Sequence, residues 1–299
     1  MTGVSINTRI GFIGTGLMGL PLCQRLLAAG FQLHVWNRSP EKCSPLQKAG
    51  AQLAGSIAEL VKKAEIIFLC VSDTAAVEEL LHRDAGLLSG LTAGQIVIDL
   101  SSIDPLATQQ FATEVERKKA HWIDAPVSGG VAGAEAGTLV VMAGGDAAII
   151  DRVRPLLAHV SQRVTHMGAN GAGQVTKICN QLIVAANAVL VAEAVALAEK
   201  AGVDAGKLAP ALAGGFADSK PFQLLVPRMS TRQFEPVQWR VQTLLKDLDM
   251  ATALSRRQGV ATPLAASAAQ LLRLHGQQGL LDKDLSSVVT LFGGEEKPC

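Results

Sequence analysis

Directly after the aliphatic run Ile10-Gly11-Phe12-Ile13 comes Gly14-Thr15-Gly16-Leu17-Met18-Gly19, a G-x-G-x-x-G that opens a helix-length stretch ending at Gly30. A strand that turns into a helix through these three glycines constrains the fold more than any other feature of the chain. The first glycine permits the tight turn, the second lets backbone approach a pyrophosphate, and the third lets the helix pack on the strand. A phosphate then meets the open N–H groups and positive dipole end of that helix. A glycine-rich turn alone would be a weak signal; its place in the first strand–helix–strand unit makes it a dinucleotide signature.

The pattern continues. β-branched or aliphatic runs at 32–36, 66–71, 96–100, 121–125 and 138–143 alternate with amphipathic stretches, which predicts a parallel sheet wrapped by helices. A last short strand is expected at 163–166. From Gly171 onward there is no strand pattern, only alanine- and leucine-rich helical sequence punctuated by Gly202, Gly214, Gly215, Pro221, Pro227, Pro236 and Gly259. The expected architecture is α/β: a Rossmann domain over 1–169, then an all-helical domain over 170–299, joined by a long interdomain helix. The tail 293–299 is expected to fray.

The second strand ends in Trp36-Asn37-Arg38-Ser39, about twenty residues past the fingerprint, where an NAD enzyme would place an acid for the ribose hydroxyl. No acid stands there. Asn37 is neutral, and Arg38 with Ser39 could grip a 2′-phosphate, so NADP is favoured and NAD stays open.

Between Gly171 and Ala198 the only charged residues are Lys177 and Glu193. Gly173, Lys177 and Asn180 fall at i, i+4 and i+7 and share one stripe that offers space, an ammonium and an amide. Partial burial draws a lysine's pKa toward neutrality, which suits a group that gives a proton to a carbonyl and takes it back from an alcohol. A lysine that merely snorkels from a core helix is the alternative. Tyr is absent from the chain, which excludes the tyrosine acid of short-chain dehydrogenases. His34, His82, His121, His159, His166 and His275 show neither pairing nor metal-ligand spacing, so no metal site is expected and Lys177 is the best proton carrier.

Composition narrows the setting. With 48% hydrophobic and 18% charged residues the chain can bury a large core, and its formal charge of +1 gives no footprint for nucleic acid or an anionic membrane. Cys23, Cys43, Cys70, Cys179 and Cys299 are scattered and odd in number, which fits thiols in a reducing compartment. No basic n-region precedes the first apolar run, and the apolar stretch 182–198 contains Asn187 and Glu193. A cytoplasmic protein with a buried core helix is expected. The whole helix, from Gly171 to about Lys200, would be about 45 Å long and outrun one small domain, and its Ala- and Val-rich faces imply burial all round, which predicts a homodimer or homotetramer.

Five ordered motifs resemble the β-hydroxyacid dehydrogenases, a family that includes 3-hydroxyisobutyrate dehydrogenase and tartronate semialdehyde (2-hydroxy-3-oxopropionate) reductase. They are Gly14 to Gly19; Asp99-Leu100-Ser101-Ser102-Ile103; Asp124-Ala125-Pro126-Val127-Ser128-Gly129-Gly130; the helix start from Gly171 to Gln181; and Lys246-Asp247-Leu248. The resemblance spans residues 9–292 and implies an NADP-dependent enzyme that reduces a small semialdehyde acid to its hydroxyacid. It implies that Lys177 is the acid/base and Asn180 its helper, and that Ser128, Gly129 and Gly130 hold a substrate carboxylate. Ser102 would lie by the nicotinamide ribose, Val71 and Ser72 along the cofactor's path, and Lys246 at its nicotinamide end. Succinic semialdehyde or glyoxylate remain alternative substrates, and a non-catalytic NADP-binding sensor remains the alternative from another class. Ser72 stands where many members carry proline, and Trp239 where phenylalanine is usual, so the substrate's far end is open. The chain is too short for the extended helical domain of 6-phosphogluconate dehydrogenases. Imine reductases usually lack the lysine.

Overall fold

The computed structural model describes residues 4–293, so the expectation for the tail beyond Gly293 and for Cys299 lies outside the described residues. Two compact units divide the chain, Met1–Lys177 and Ile178–Cys299.

The first unit carries strands β1 (Ile10–Ile13), β2 (Leu33–Trp36), β3 (Gln52–Leu53), β4 (Ile66–Leu69), β5 (Ile96–Asp99), β6 (His121–Asp124), β7 (Val127–Ser128), β8 (Leu139–Gly144) and β9 (Ser161–Gly168). Its helices are α1 (Gly19–Ala28), α2 (Ser44–Lys48), α3 (Ile57–Lys63), α4 (Thr74–His82), α5 (Leu87–Gly90), α6 (Pro105–Arg117), α7 (Gly130–Ala136) and α8 (Ala147–Leu157). The sheet order is β3-β2-β1-β4-β5-β6-β8-β7, with β9 on β8. Strands β1 to β6 pair in parallel, and β8 runs antiparallel to both β6 and β7. The order 3-2-1-4-5-6 is that of a Rossmann sheet.

Buried on both faces, β1 and β4 read as unbroken apolar runs, as central parallel strands must, and β5 does so up to Asp99 at its end. Alternate side chains feed two cores. Phe12, Phe68 and Ile98 face one layer of helices, and Ile13, Leu69 and Val97 face the other. The helix starts are set by short acids: Asp73, Asp104 and Asp146 accept hydrogen bonds from the first-turn N–H groups of α4, α6 and α8. Sequence periodicity missed β3 and β7, which are two-residue strands too short to show any period.

Helix α9 (Ala172–Lys200) begins in the first unit and continues into the second. The division at Lys177 falls inside α9, because the first turns of that helix are bonded to the sheet as described below. The second unit continues with α10 (Leu208–Leu212), α11 (Lys220–Thr231), α12 (Val241–Gln258), α13 (Pro263–Gln277) and α14 (Thr290–Gly293). Ala185, Ala188, Ala192 and Val195 of α9 pack with Val226, Met229, Leu244, Leu248, Leu272 and Val288 in one core. Length and composition alone would let α9 cross a membrane, yet these residues form a protein core. Burial is one-sided, not all-round: Ile183, Leu190 and Leu197, seven residues apart, stay more than 60% exposed.

Candidate active site

In an open parallel sheet, ligands bind beyond the carboxyl ends of the strands, where the strand order reverses. Here that point lies between β1 and β4, and the glycine turn stands on it. Gly14 has φ +99°, and a Cβ there would come within 2.2 Å of the Cys70 carbonyl oxygen just past β4. A Cβ on Gly19 would lie 1.9 Å from the Gly14 carbonyl oxygen, so the third glycine is what lets α1 close on β1. A Cβ on Gly16 would meet nothing within 4 Å. Folding therefore does not need glycine at position 16, whereas a pyrophosphate lying against the backbone does. On that observation the turn fits a dinucleotide.

The neighbouring loop is tied to the turn. The Thr15 N–H donates to Asn37 Oδ1 at 3.0 Å, and Asn37 Nδ2 donates to the Ser39 carbonyl at 3.0 Å. Both ends of the Asn37 amide are thus spent on holding the turn and its own loop. The Thr15 side chain is buried and touches Cys43. Leu17 is exposed. The exposed Arg38 guanidinium makes no hydrogen bond or ion pair among the described residues, and so remains available to an anion.

Beyond β4, the Val71 N–H donates to Ser101 Oγ at 3.0 Å, while the exposed Ser72 donates to Asp73 at 2.7 Å. Burial, with the charge of Asp99 nearby, pushes the Cys70 thiol up to about 12, so it stays protonated here. Beyond β5, Ser102 is bracketed by one side chain. Gln174 Oε1 accepts from the Ile103 N–H at 3.1 Å, and Gln174 Nε2 donates to the Ser101 carbonyl at 2.8 Å.

Past β6, Val127 and Ser128 form β7, with Ser128 opposite Val140. Gly129 (φ +135°) and Gly130 (φ +64°) then lead into α7. Residues with a Cβ rarely adopt either backbone conformation, so the turn into α7 requires its two glycines.

The start of α9 is held by Asp124, fully buried at the end of β6. Its Oδ1 accepts from the Gly171 N–H at 2.9 Å and its Oδ2 from the Gln174 N–H at 3.1 Å. Burial raises the carboxyl's pKa, and these N–H donors work against that rise. Gly173 does not offer space to a ligand, as its place on the stripe suggested. A Cβ there would lie 2.4 Å from the Met142 carbonyl oxygen and 2.7 Å from that of Asp124. The gap serves close contact between helix and sheet, and the half-buried Lys177 follows one turn later.

The first unit thus carries the glycine turn, Asn37, Arg38, Ser39, Val71, Ser72, Ser102, Ser128, Gly129 and Gly130 on the segments that follow the carboxyl ends of β1, β2, β4, β5 and β6, with Lys177 on the helix bonded to β6. Asn180 and Lys246 belong to the second unit. Asn180 Nδ2 donates to Gln181 Oε1 at 2.8 Å, Gln181 Nε2 donates to Asp247 Oδ2, and Lys246 Nζ lies 3.2 Å from Asp247 Oδ1. Trp239, upstream of Lys246, has its N–H held by the buried Asp284, which also accepts from Gln238 and Ser286. Sequence reasoning gave no role to Asp124, Gln174, Gln181 or Asp247. The available signal was that all four stand inside motifs already singled out.

Residues 9–168 match the family model described as the NAD binding domain of 6-phosphogluconate dehydrogenase. Residues 171–292 match the model described as NAD-binding of NADP-dependent 3-hydroxyisobutyrate dehydrogenase. The chain is 37% identical to 2-hydroxy-3-oxopropionate reductase of Escherichia coli (strain K12), covering 94% of this chain and 96% of that one. It is 33% identical to the NAD-dependent L-serine dehydrogenase of Pseudomonas aeruginosa, covering 95% and 97%. Among solved structures, Psf3 in complex with NADP+ and 2-OPP superposes with a TM-score of 0.87 at 30% identity, covering 94% and 99%.

Proposed function

The chain belongs to the β-hydroxyacid dehydrogenase family, NAD(P)-dependent enzymes acting on CH–OH groups, and on that premise we propose that it reduces a small semialdehyde acid to its hydroxyacid with NADPH, using Lys177 as the acid/base. The observation that carries this is the pinning of α9. Gln174 and Asp124 fasten the helix to the ends of β5 and β6, and Lys177 follows one turn later on a rigid element. A proton carrier must be held within a few tenths of an ångström to act in the transition state, and this support supplies that.

A bound nicotinamide dinucleotide supplies the hydride in reduction and accepts it in oxidation. Around it, the backbone at Gly14 to Gly19 seats the pyrophosphate and Arg38 pairs with the 2′-phosphate. Ser102 and Val71 border the nicotinamide side. Ser128 donates its hydroxyl, and Gly129 and Gly130 their N–H groups, to the substrate carboxylate. Lys177 gives its proton to the carbonyl oxygen in reduction and recovers it from the hydroxyl in oxidation. Asn180, three residues on, orients the ammonium or the substrate oxygen.

For NADP, the support is the neutral Asn37 followed by an uncommitted Arg38; the relative with NAD in its name keeps the question one for measurement. Tartronate semialdehyde is the preferred substrate, on the likeness to 2-hydroxy-3-oxopropionate reductase. One methylene changes binding by only about 1–3 kcal/mol, so related semialdehydes are expected to turn over more slowly, not to be refused. Initial rates across tartronate, methylmalonate and succinic semialdehydes and glyoxylate, each with NADPH and NADH, test the proposal. Highest kcat/KM for tartronate semialdehyde with NADPH is expected, and no turnover of any of the four would overturn it.

The functional unit is proposed to be a homodimer or homotetramer. Ile183, Leu190 and Leu197 form an exposed apolar stripe along α9, and a second copy is the commonest cover for such a stripe. Light scattering should show a multiple of 31.2 kDa, and a stable, active species at 31.2 kDa would contradict it.

A further inference from the structure

Helix α7 is seven residues long and reads Gly-Val-Ala-Gly-Ala-Glu-Ala, with only Gly133 and Ala134 buried and no side-chain cap at its start. Isolated helices shorter than about 12 residues do not hold themselves in water, and a glycine inside one weakens it further. Where α7 lies is therefore decided by what touches it.

One support comes from α1, on which α7 packs. Arg25, in the last turn of α1, sends its guanidinium across to α7: Nη1 donates to the Glu135 carbonyl at 3.1 Å, while Nε donates to the His159 carbonyl, just past α8, at 2.7 Å. A cation at a helix C-terminus meets the negative end of the dipole as well as an open carbonyl. Gly137, which ends α7 at φ +70°, lies so close to the guanidinium that a Cβ there would collide with it.

Both helices joined in this way begin at turns that the proposed reaction uses. The dinucleotide turn, Gly14 to Gly19, leads into α1, and Ser128, Gly129 and Gly130 lead into α7. A short helix moves as one body, so a tie at its last turn sets where its first residues stand. We infer that Arg25 is a positioning residue that fixes the Ser128–Gly130 turn relative to the dinucleotide turn, and so sets how a substrate held by its carboxylate stands against the cofactor. This rests on the proposed role of Ser128, Gly129 and Gly130 in holding that carboxylate. Hydride transfer tolerates little error there, because reacting atoms must approach to about 3–3.5 Å. Arg25 acts through α7, without touching either ligand.

The test compares an aldehyde that has the carboxylate with one that lacks it. Lactaldehyde is tartronate semialdehyde with a methyl group in place of the carboxylate, so the ratio of their kcat/KM values reads how well the enzyme uses that group. Arg25→Met keeps an apolar stem of similar length and removes the guanidinium. The ratio should fall by about tenfold, with NADPH affinity within about twofold of wild type, because the dinucleotide turn keeps its own contacts with the sheet. A ratio within about twofold of wild type would overturn the inference, and so would an equal loss of NADPH affinity, which is what a general structural role predicts. Hydrogen exchange gives a second reading that needs no substrate. The Gly133 and Thr138 amides, bonded to the Gly129 and Gly133 carbonyls, should exchange faster in Arg25→Met, and unchanged rates would overturn the inference equally. If Arg25→Met does not fold, Arg25→Lys keeps the charge without the fork that meets two carbonyls at once; its ratio should fall by about threefold, and a wild-type ratio there would overturn the inference. Ser128→Ala, run alongside, separates the two claims. A wild-type ratio in Ser128→Ala counts against the carboxylate reading itself, whereas a lowered one beside an unimpaired Arg25→Met sinks only the tie.

Discussion

Gly173→Ala should damage this enzyme far more than a single methyl on a helix ordinarily does. The new Cβ would sit 2.4 Å from the Met142 carbonyl oxygen, 2.7 Å from the Asp124 carbonyl oxygen and 2.8 Å from Asp124 Oδ2. Two of these three are main-chain atoms of central strands and cannot swing aside. Either the contact is endured, at the upper end of the about 1–3 kcal/mol typical of overpacking, or α9 withdraws by about 1 Å to reach ordinary contact distance. Withdrawal stretches the Gly171 and Gln174 N–H bonds to Asp124, now 2.9 and 3.1 Å, and hydrogen bonds to a charged group are worth about 1.5–3 kcal/mol each. The cheaper route costs about 3 kcal/mol. Alanine's better helix propensity returns about 1 kcal/mol, leaving a net loss of about 2 kcal/mol. Activity should suffer more, because Lys177 sits one turn later and a misplacement of about 1 Å can cost on the order of 100-fold. Urea denaturation and kcat/KM measured on the same preparation read both effects. A Gly173→Ala protein within about 0.5 kcal/mol of wild type and fully active would refute the close-contact account of this glycine.

Three further outcomes follow from the same geometry. Gly16→Ala should leave the stability of the ligand-free protein unchanged, since its Cβ enters open space, yet weaken dinucleotide affinity by about ten- to a hundredfold; Gly19→Ala should instead destabilise the fold, and calorimetric titration beside thermal melts distinguishes the two. Asn37→Asp with Arg38→Leu should move the ratio of kcat/KM for NADPH over NADH toward NADH by about tenfold or more, as expected if a charge-assisted phosphate pair is lost; a ratio unchanged from wild type would count against Arg38. His275 is fully buried, bonded through Nε2 to Ser287 Oγ at 2.7 Å and without a partner at Nδ1 among the described residues, and burial lowers its pKa from 6.5. The stability it contributes is present above that unfolded value and is lost as pH falls through the lowered folded one. Melting temperature should therefore drop more steeply from about pH 7 to about pH 5 in wild type than in His275→Gln; equal slopes would contradict this.

Much of the fold was legible because parallel strands and glycine turns write themselves into local sequence. The buried runs of β1 and β4 are short and apolar, β5 is so up to Asp99, and Gly14, Gly16 and Gly19 stand at the spacing that their separate tasks require. Less legible was anything that depends on partners distant in the chain. Asp124 and Gln174 are fifty residues apart in sequence and meet only because β6 and α9 are adjacent in space. Gly173 looked like room for a substrate on a helical wheel, since a wheel shows which residues share a face and not what that face meets. The same blindness made the apolar helix look buried on every side, when Ile183, Leu190 and Leu197 remain exposed. Lys177 itself was visible, as a lone ammonium in an apolar run is costly without a task. The hydrogen bonds joining Asn180, Gln181 and Asp247 were not, because Asp247 stands sixty-six residues beyond Gln181.

The central claim is that Lys177 moves the proton while the cofactor moves the hydride, and the turnover number of Lys177→Ala tests it most directly. With circular dichroism and NADPH affinity matching wild type, kcat for semialdehyde reduction should fall by a factor of about 100 to 10,000, the range that general acid catalysis supplies. A folded Lys177→Ala enzyme that binds NADPH and retains kcat within about threefold of wild type would contradict the account.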